Sequence, residues 1–126
     1  MSFQIIHYKP KFEQGWLRCR VLSFLNTQYY NDVRQVKEEY NNDSIELIAV
    51  ESDKVIGLID VEIEKTPGSI CNQKGIITGM LWHIAIHPDY QRMGIGEALL
   101  NKVRLKLLER GIKRLEAWTK EDEATR

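Results

Sequence analysis

Leu81-Trp82-His83-Ile84-Ala85-Ile86-His87-Pro88-Asp89-Tyr90-Gln91-Arg92-Met93-Gly94-Ile95-Gly96-Glu97-Ala98-Leu99-Leu100 is the stretch whose reading decides the fold. Its apolar start reads as a strand, which Pro88-Asp89 breaks. From residue 95 the apolar positions Ile95, Leu99, Val103 and Leu107 recur every fourth residue, so 95–110 reads as a helix with Gly111 as its stop. A strand that crosses a glycine-bearing turn into a helix points unpaired amides at a ligand. The first N–H groups of the helix have no internal acceptor, and with the helix dipole they favour a phosphate or pyrophosphate. Gly94 and Gly96 let the backbone approach such a group and adopt φ > 0 at little cost, and Arg92 adds a charge. The third glycine of a dinucleotide fingerprint is absent, as is the Gly-Lys-Ser/Thr of a P-loop, so a nucleotide-binding domain fits less well. Taken alone, the glycines also fit a plain tight turn.

Outward from this passage, 76–86 extends the strand and 112–118 reads as the last one. Upstream, 45–50 and 55–64 are β-rich runs joined by Glu51-Ser52-Asp53-Lys54, a length suited to an antiparallel hairpin. In the second run the alternation puts Val55, Gly57, Ile59, Val61 and Ile63 on one face and Asp60, Glu62 and Glu64 on the other. Residues 65–75, with Thr66-Pro67-Gly68-Ser69, read as a loop. A first strand is expected over 3–8, closed by Lys9-Pro10. Residues 12–25 read as a helix, with Phe12, Trp16, Leu17, Val21, Phe24 and Leu25 on one stripe and Cys19 beside it. A second helix over 32–40 would take Asn31 or Asp32 as its cap. Thr119-Lys120-Glu121-Asp122 resembles a capping box, so a further helix starts where the sequence stops at Arg126. The expectation is a C-terminally truncated chain, with a natural short form as the alternative.

The 126 residues, 43% hydrophobic, suit a single domain over 1–126. Eighteen basic residues balance eighteen acidic ones, which argues against a nucleic-acid binder or a protein drawn to anionic membranes. There is no apolar run of membrane-spanning length, and no leader pattern at the start. Cys19 and Cys71 stand far apart with no Cys or His at metal-ligand spacing, which points to no metal site and to reduced thiols in a cytoplasmic protein.

The run Ile84-Ala85-Ile86-His87-Pro88-Asp89-Tyr90-Gln91-Arg92-Met93-Gly94-Ile95-Gly96-Glu97-Ala98-Leu99-Leu100 closely resembles the coenzyme A signature of the GNAT superfamily of acyl-CoA N-acyltransferases, Gln/Arg-x-x-Gly-x-Gly/Ala, supplied here by Gln91, Gly94 and Gly96. The order of elements resembles that family across nearly the whole chain. The resemblance implies an α/β (α+β) fold, a mixed, mostly antiparallel central sheet flanked by helices, without the final helix and closing strands. It implies that Ile84, Ala85 and Ile86 hold the acetyl and pantetheine groups of acetyl-CoA through main-chain hydrogen bonds. Arg92, Met93, Gly94, Ile95, Gly96 and Glu97, with Gln91, would cradle the pyrophosphate. It implies an N-acetyltransferase whose partners are acetyl-CoA and an amine acceptor on a small molecule, peptide or protein; a non-catalytic acyl-CoA-binding or interaction module is the alternative.

An acceptor ammonium near pKa 10.4 must lose a proton before it attacks. Glu116 matches the general base of the ribosomal-protein N-terminal acetyltransferases of the family, and by side-chain chemistry Glu62 and His83 are alternatives. Each has a plainer reading: Glu116 as a solvated or paired strand residue, Glu62 as part of an acidic face meeting water, His83 as a packed strand residue. The family's acid, a tyrosine after the last strand, has no counterpart, and Glu121 stands where a family asparagine often touches coenzyme A. Neither cysteine has the setting of a nucleophile, so direct transfer is expected rather than an acyl-enzyme. The last strand would form an exposed sheet edge, which invites a homodimer.

Overall fold

A computed structural model describes residues 3–24, 37, 39–64 and 77–117. In chain order these form β1 (Gln4–His7), a 3-10 turn (Pro10–Phe12), α1 (Glu13–Phe24), β2 (Ser44–Glu51), β3 (Lys54–Glu64), β4 (Thr78–Ile86), a second 3-10 turn (Pro88–Tyr90), α2 (Ile95–Glu109) and β5 (Leu115–Ala117). One five-stranded sheet runs in the order β1-β2-β3-β4-β5, antiparallel except where β5 lies parallel to β4. This is the mixed, mostly antiparallel sheet expected above.

Among the described residues, one helix covers each face. Ile95, Leu99, Val103 and Leu107 of α2 are buried against Ile45, Leu47, Ile59, Val61 and Ile63, as their four-residue spacing predicts. Gly111 ends the helix with φ 75°; its N–H reaches Leu108 O at 2.9 Å, and the N–H of Ile112 reaches Leu107 O at 2.9 Å, a Schellman closure. Ile112 therefore seals the helix end, and the last strand begins at Leu115. On the other face Phe12, Trp16 and Cys19 pack on Ile48, Val50, Leu58 and Ala85. The buried side of α1 turns toward Cys19 and Arg20, with Leu17 and Val21 only half-buried.

The hairpin is tighter than its four-residue link implied. Ser52 and Asp53 alone form the turn, both with positive φ (48° and 67°), the backbone that matches the twist of the flanking strands. Beyond it a bulge changes the face assignment. Ala49 pairs with Gly57 but Val50 with Val55, so Ile56 is the extra residue. Val55 consequently joins the α1 side rather than the face of Ile59. A second correction concerns the acidic row: Asp60, Glu62 and Glu64 are buried, Asp60 beneath Lys37 and Tyr40 and Glu62 beneath Trp82 and Asn42. The helix expected over 32–40 lies largely outside the described residues; Lys37, Glu39 and Tyr40 belong to neither helix nor strand, and Lys37 and Tyr40 bind the carboxylate of Asp60. The expected loop 65–75, Cys71, Trp118 and residues 119–122 also lie outside the described residues. Among the described residues no helix is long and apolar enough to cross a membrane.

Candidate functional site

The site begins with a bulge in β4. Asp60 pairs with His83 and Val61 with Leu81, so Trp82 is the extra residue and the strand changes face across it. The pairing of β5 with β4 covers Gly79, Met80 and Leu81. From the bulge onward the β5 side of β4 has no strand partner among the described residues. The N–H of His87 donates to Ile56 O at 2.9 Å, which sets the phase of the ladder. By alternation the main-chain groups of Ala85 also face β3, while those of Ile84 and Ile86 face the other edge. Gln91 Nε2 donates to Ile86 O at 3.2 Å from that side, which agrees with this phase.

The strand leads directly into the turn. His87 Nδ1 accepts from the amide of Asp89 at 3.1 Å and so caps the turn Pro88–Tyr90, with the Tyr90 ring edge-on at 5.4 Å. Burial lowers the pKa of His87 below its ordinary value, Lys54 and Arg18 adding to this and Asp89 opposing it. Arg92 and Gly94 then adopt left-handed backbone (φ 64° and 79°), with Met93 between them. Gly94 is the N-cap of α2 and offers no side-chain cap, and the first helical bond runs from the Ala98 N–H to Gly94 O at 3.0 Å. Helix geometry thus leaves the N–H groups of Ile95, Gly96 and Glu97 without intrahelical acceptors. A Cβ on Gly94 would meet nothing within 4 Å. Gly96 lies inside the helix, without positive φ, and a Cβ there would make ordinary contact with Ile86 at 3.8 Å. Of the two glycines, only Gly94 uses the left-handed freedom expected of both.

The turn is held against the sheet by a residue whose part the sequence reading missed. A Cβ on Gly57 would stand 2.8 Å from Ile95 Cγ2 and 3.2 Å from Ile86 Cδ1, so a bare backbone on β3 lets the first turn of α2 settle beside the end of β4. The signal was a glycine inside an otherwise β-branched strand.

On the α1 side the candidate bases are distributed differently. Glu62 Oε1 accepts from the Trp82 indole N–H at 3.0 Å, and Oε2 from the N and Nδ2 of Asn42 at 3.2 and 3.1 Å. Its carboxylate is engaged and buried rather than facing water. His83 stands edge-on to Trp16 at 5.9 Å, half-buried. Glu116 pairs with Met80 one position before the β4–β5 pairing ends, on the opposite face from Leu115, which packs with the α2 core. Its Oε1 accepts from Arg114 at 2.5 Å. Cys19 is fully buried and its pKa is pushed up to about 12, chiefly by burial, which removes it from nucleophilic chemistry. An open cleft of about 540 Å³ lined by Asp43, Ser44, Ile63, Ile77, Arg110 and Ile112 lies by the C-terminal end of α2, away from the turn.

Residues 7–126 match the model of the acetyltransferase (GNAT) family. The chain belongs to this family. A ycf52-like N-acetyltransferase of Prochlorococcus marinus is 38% identical over 45 residues, which are 36% of this chain and 25% of that protein's length. The aminoglycoside antibiotic 6'-N-acetyltransferase of Acinetobacter baumannii has a similar fold: TM-score 0.70, 16% identity, 98% of this chain and 84% of that one. The ribosomal-protein-alanine N-acetyltransferase of Brucella melitensis superposes with a TM-score of 0.68 at 16% identity, over 96% of this chain and 82% of that one. At such identities the likeness speaks for the fold.

Proposed function

We propose that this chain is an acetyl-CoA-dependent N-acetyltransferase acting on a primary amine, built as one domain over residues 1–126. One observation carries the proposal: the outward main-chain groups of Ile84 and Ile86 are followed, after the capped turn Pro88–Tyr90, by the left-handed turn at Arg92 and Gly94 and an uncapped helix N-terminus. That line of donors suits a long ligand with an amide-bearing arm at one end and a pyrophosphate at the other. Ile84 and Ile86 would hold the arm. Gln91, Arg92, Met93, Gly94, Ile95, Gly96 and Glu97 would surround the pyrophosphate, mostly through backbone N–H groups. When bound, acetyl-CoA supplies the activated acyl group. Ala85 contributes differently, its backbone tied to β3 and its side chain to the α1 core, so it holds the strand in place.

Glu116 is the proposed base. It sits on the α1-side face where the pairing of β4 and β5 ends, close to where the acceptor nitrogen would meet the arm of the cosubstrate. Its contact with Arg114 holds the carboxylate in position and must loosen for proton uptake. The reduced Cys19 accords with a cytoplasmic setting, and β5 offers an edge for self-association that sedimentation at high concentration can test; a clean monomer removes it. The deciding experiment is a thermal shift with coenzyme A followed by thiol release against a panel of amines. Stabilisation together with thiol release supports the reading. Stabilisation without release from any amine supports a non-catalytic acyl-CoA module, and no stabilisation overturns both.

A further inference from the structure

The α1 side of the sheet holds a cluster that the acyl-transfer reading leaves unused. Lys37 Nζ donates to Asp60 Oδ2 at 3.0 Å and to Glu46 Oε1. Three aromatic rings surround the same ammonium, with centroids at 4.7 Å (Tyr8), 4.9 Å (Trp16) and 5.4 Å (Tyr40). The carboxylates supply charge and the rings supply quadrupole attraction, the combination by which proteins recognise organic ammonium groups. The present occupant is itself a primary ammonium. As a device for stability alone the arrangement is costly, since each buried ion carries a desolvation penalty and apolar residues of similar volume usually serve as well.

The walls also carry polar atoms that Lys37 does not satisfy. Asp60 and Trp16 are fully buried, yet Asp60 Oδ1 and Trp16 Nε1 have no hydrogen-bond partner among the described residues. A ligand entering here would find one further acceptor and one further donor. The position is equally specific. Asp60 pairs with His83, the residue before Ile84, where the outward-facing edge of β4 begins. From β3 to the far side of β4 is two strand spacings, about 10 Å. An ammonium held in the cage therefore leaves the other end of a flexible alkyl chain within reach of that edge.

We propose that Tyr8, Trp16, Tyr40, Glu46 and Asp60 form a binding site for one ammonium group of an alkyl diamine, and that Lys37 fills it as an internal surrogate until such a ligand displaces it. The use of the diamine's second nitrogen as acceptor rests on the acyl-transfer reading; the binding site does not.

The test uses the full chain without acetyl-CoA. The protein is treated with an amine-reactive acetylating ester, and the labelling of Lys37 relative to the exposed Lys102 is measured by mass spectrometry, with and without cadaverine. The ratio is expected to be low in buffer and to rise severalfold with cadaverine as the displaced lysine reaches solvent. Glycine at twice the concentration, which supplies as many amine groups but carries a carboxylate that Asp60 and Glu46 repel, controls for reagent consumption. A ratio that cadaverine leaves unchanged, or a Lys37 already as reactive as Lys102 in buffer, overturns the proposal. In Lys37→Met, which keeps side-chain bulk and vacates the charge site, cadaverine should raise the melting temperature more than in the parent, and Glu46→Gln in that background should cancel the gain. Absence of any gain likewise overturns it. Stabilisation by coenzyme A with Lys37 indifferent to cadaverine sinks the cage alone. Displacement by cadaverine without stabilisation by coenzyme A sinks the acyl-transfer reading alone.

Discussion

The two sides of β4 are built from different materials. Toward α2 the working groups are main-chain amides shaped by Arg92, Gly94 and Gly57, and the side chains mostly stay out of the way. Toward α1 the working groups are charged and aromatic side chains brought together from Tyr8 just after β1, from α1, β2 and β3, and from the stretch around Lys37. A site made of backbone asks for a local conformation, and a short motif can specify it. A site made of converging side chains asks for a completed fold. On the function proposed above, the same strand would offer a general grip for a phosphate-bearing cosubstrate on one side and a chain-specific chemical surface on the other.

Substitutions can break this contrast at either end. The largest effect is expected on the side-chain half: Asp60→Ala leaves the Lys37 ammonium buried with one carboxylate fewer and should lower unfolding free energy by about 3–5 kcal/mol. Urea denaturation reads this, and a shift comparable to that of a surface substitution would mean the cage is solvated. Next comes the backbone half. Coenzyme A at a hundred times its dissociation constant should stabilise the chain by about 2.7 kcal/mol, seen as a rise in melting temperature. Gly94→Trp should abolish that rise while the protein stays folded, because the space over Gly94 is open and the strain of a side chain at φ 79° costs only about 1–2 kcal/mol.

Gly57→Ala tests whether the halves share a wall. Its Cβ would press on Ile95 and Ile86, so overpacking should cost about 1–3 kcal/mol and weaken coenzyme A binding as α2 shifts. If stability fell with coenzyme A affinity unchanged, the turn would not depend on its seat against β3. The smallest expected effect is a pH dependence. His87 has its pKa lowered below 6.5, so the unfolded chain takes up a proton more readily than the folded one. Its contribution is present above pH 6.5 and is lost as pH falls toward the folded-state value. Lys37 has the opposite sign: burial alone would depress it, but Asp60 and Glu46 outweigh that and raise it, so its contribution holds until pH climbs past the ordinary lysine value of 10.5. Melting curves of the parent and His87→Gln across the acid range should converge at low pH and separate above pH 6.5.

The legibility of the sequence follows the same division. The helix 95–110, its buried Ile95, Leu99, Val103 and Leu107, the stop at Gly111 and the turn around Gly94 were readable because each rests on residues within a few positions of one another. The alternation in β3 put Asp60, Glu62 and Glu64 on a common face correctly, yet their burial was not readable. It depends on Trp82 and Asn42 closing over Glu62 and on Lys37 and Tyr40 reaching Asp60. The shift of Val55 to the α1 side was equally hidden, because a bulge adds one residue without any residue type that marks it.

By itself, then, the sequence determined the family, the mixed sheet and the amide-lined turn, since periodicity, a breaking proline and a left-handed glycine act locally through covalent geometry and helix termini. Only the tertiary structure decided which main-chain groups of β4 face outward, why Gly57 is bare, and that Lys37 meets Asp60 among three rings. Those outcomes depend on strand register and on contacts between residues distant in sequence, and composition and spacing carry no record of either.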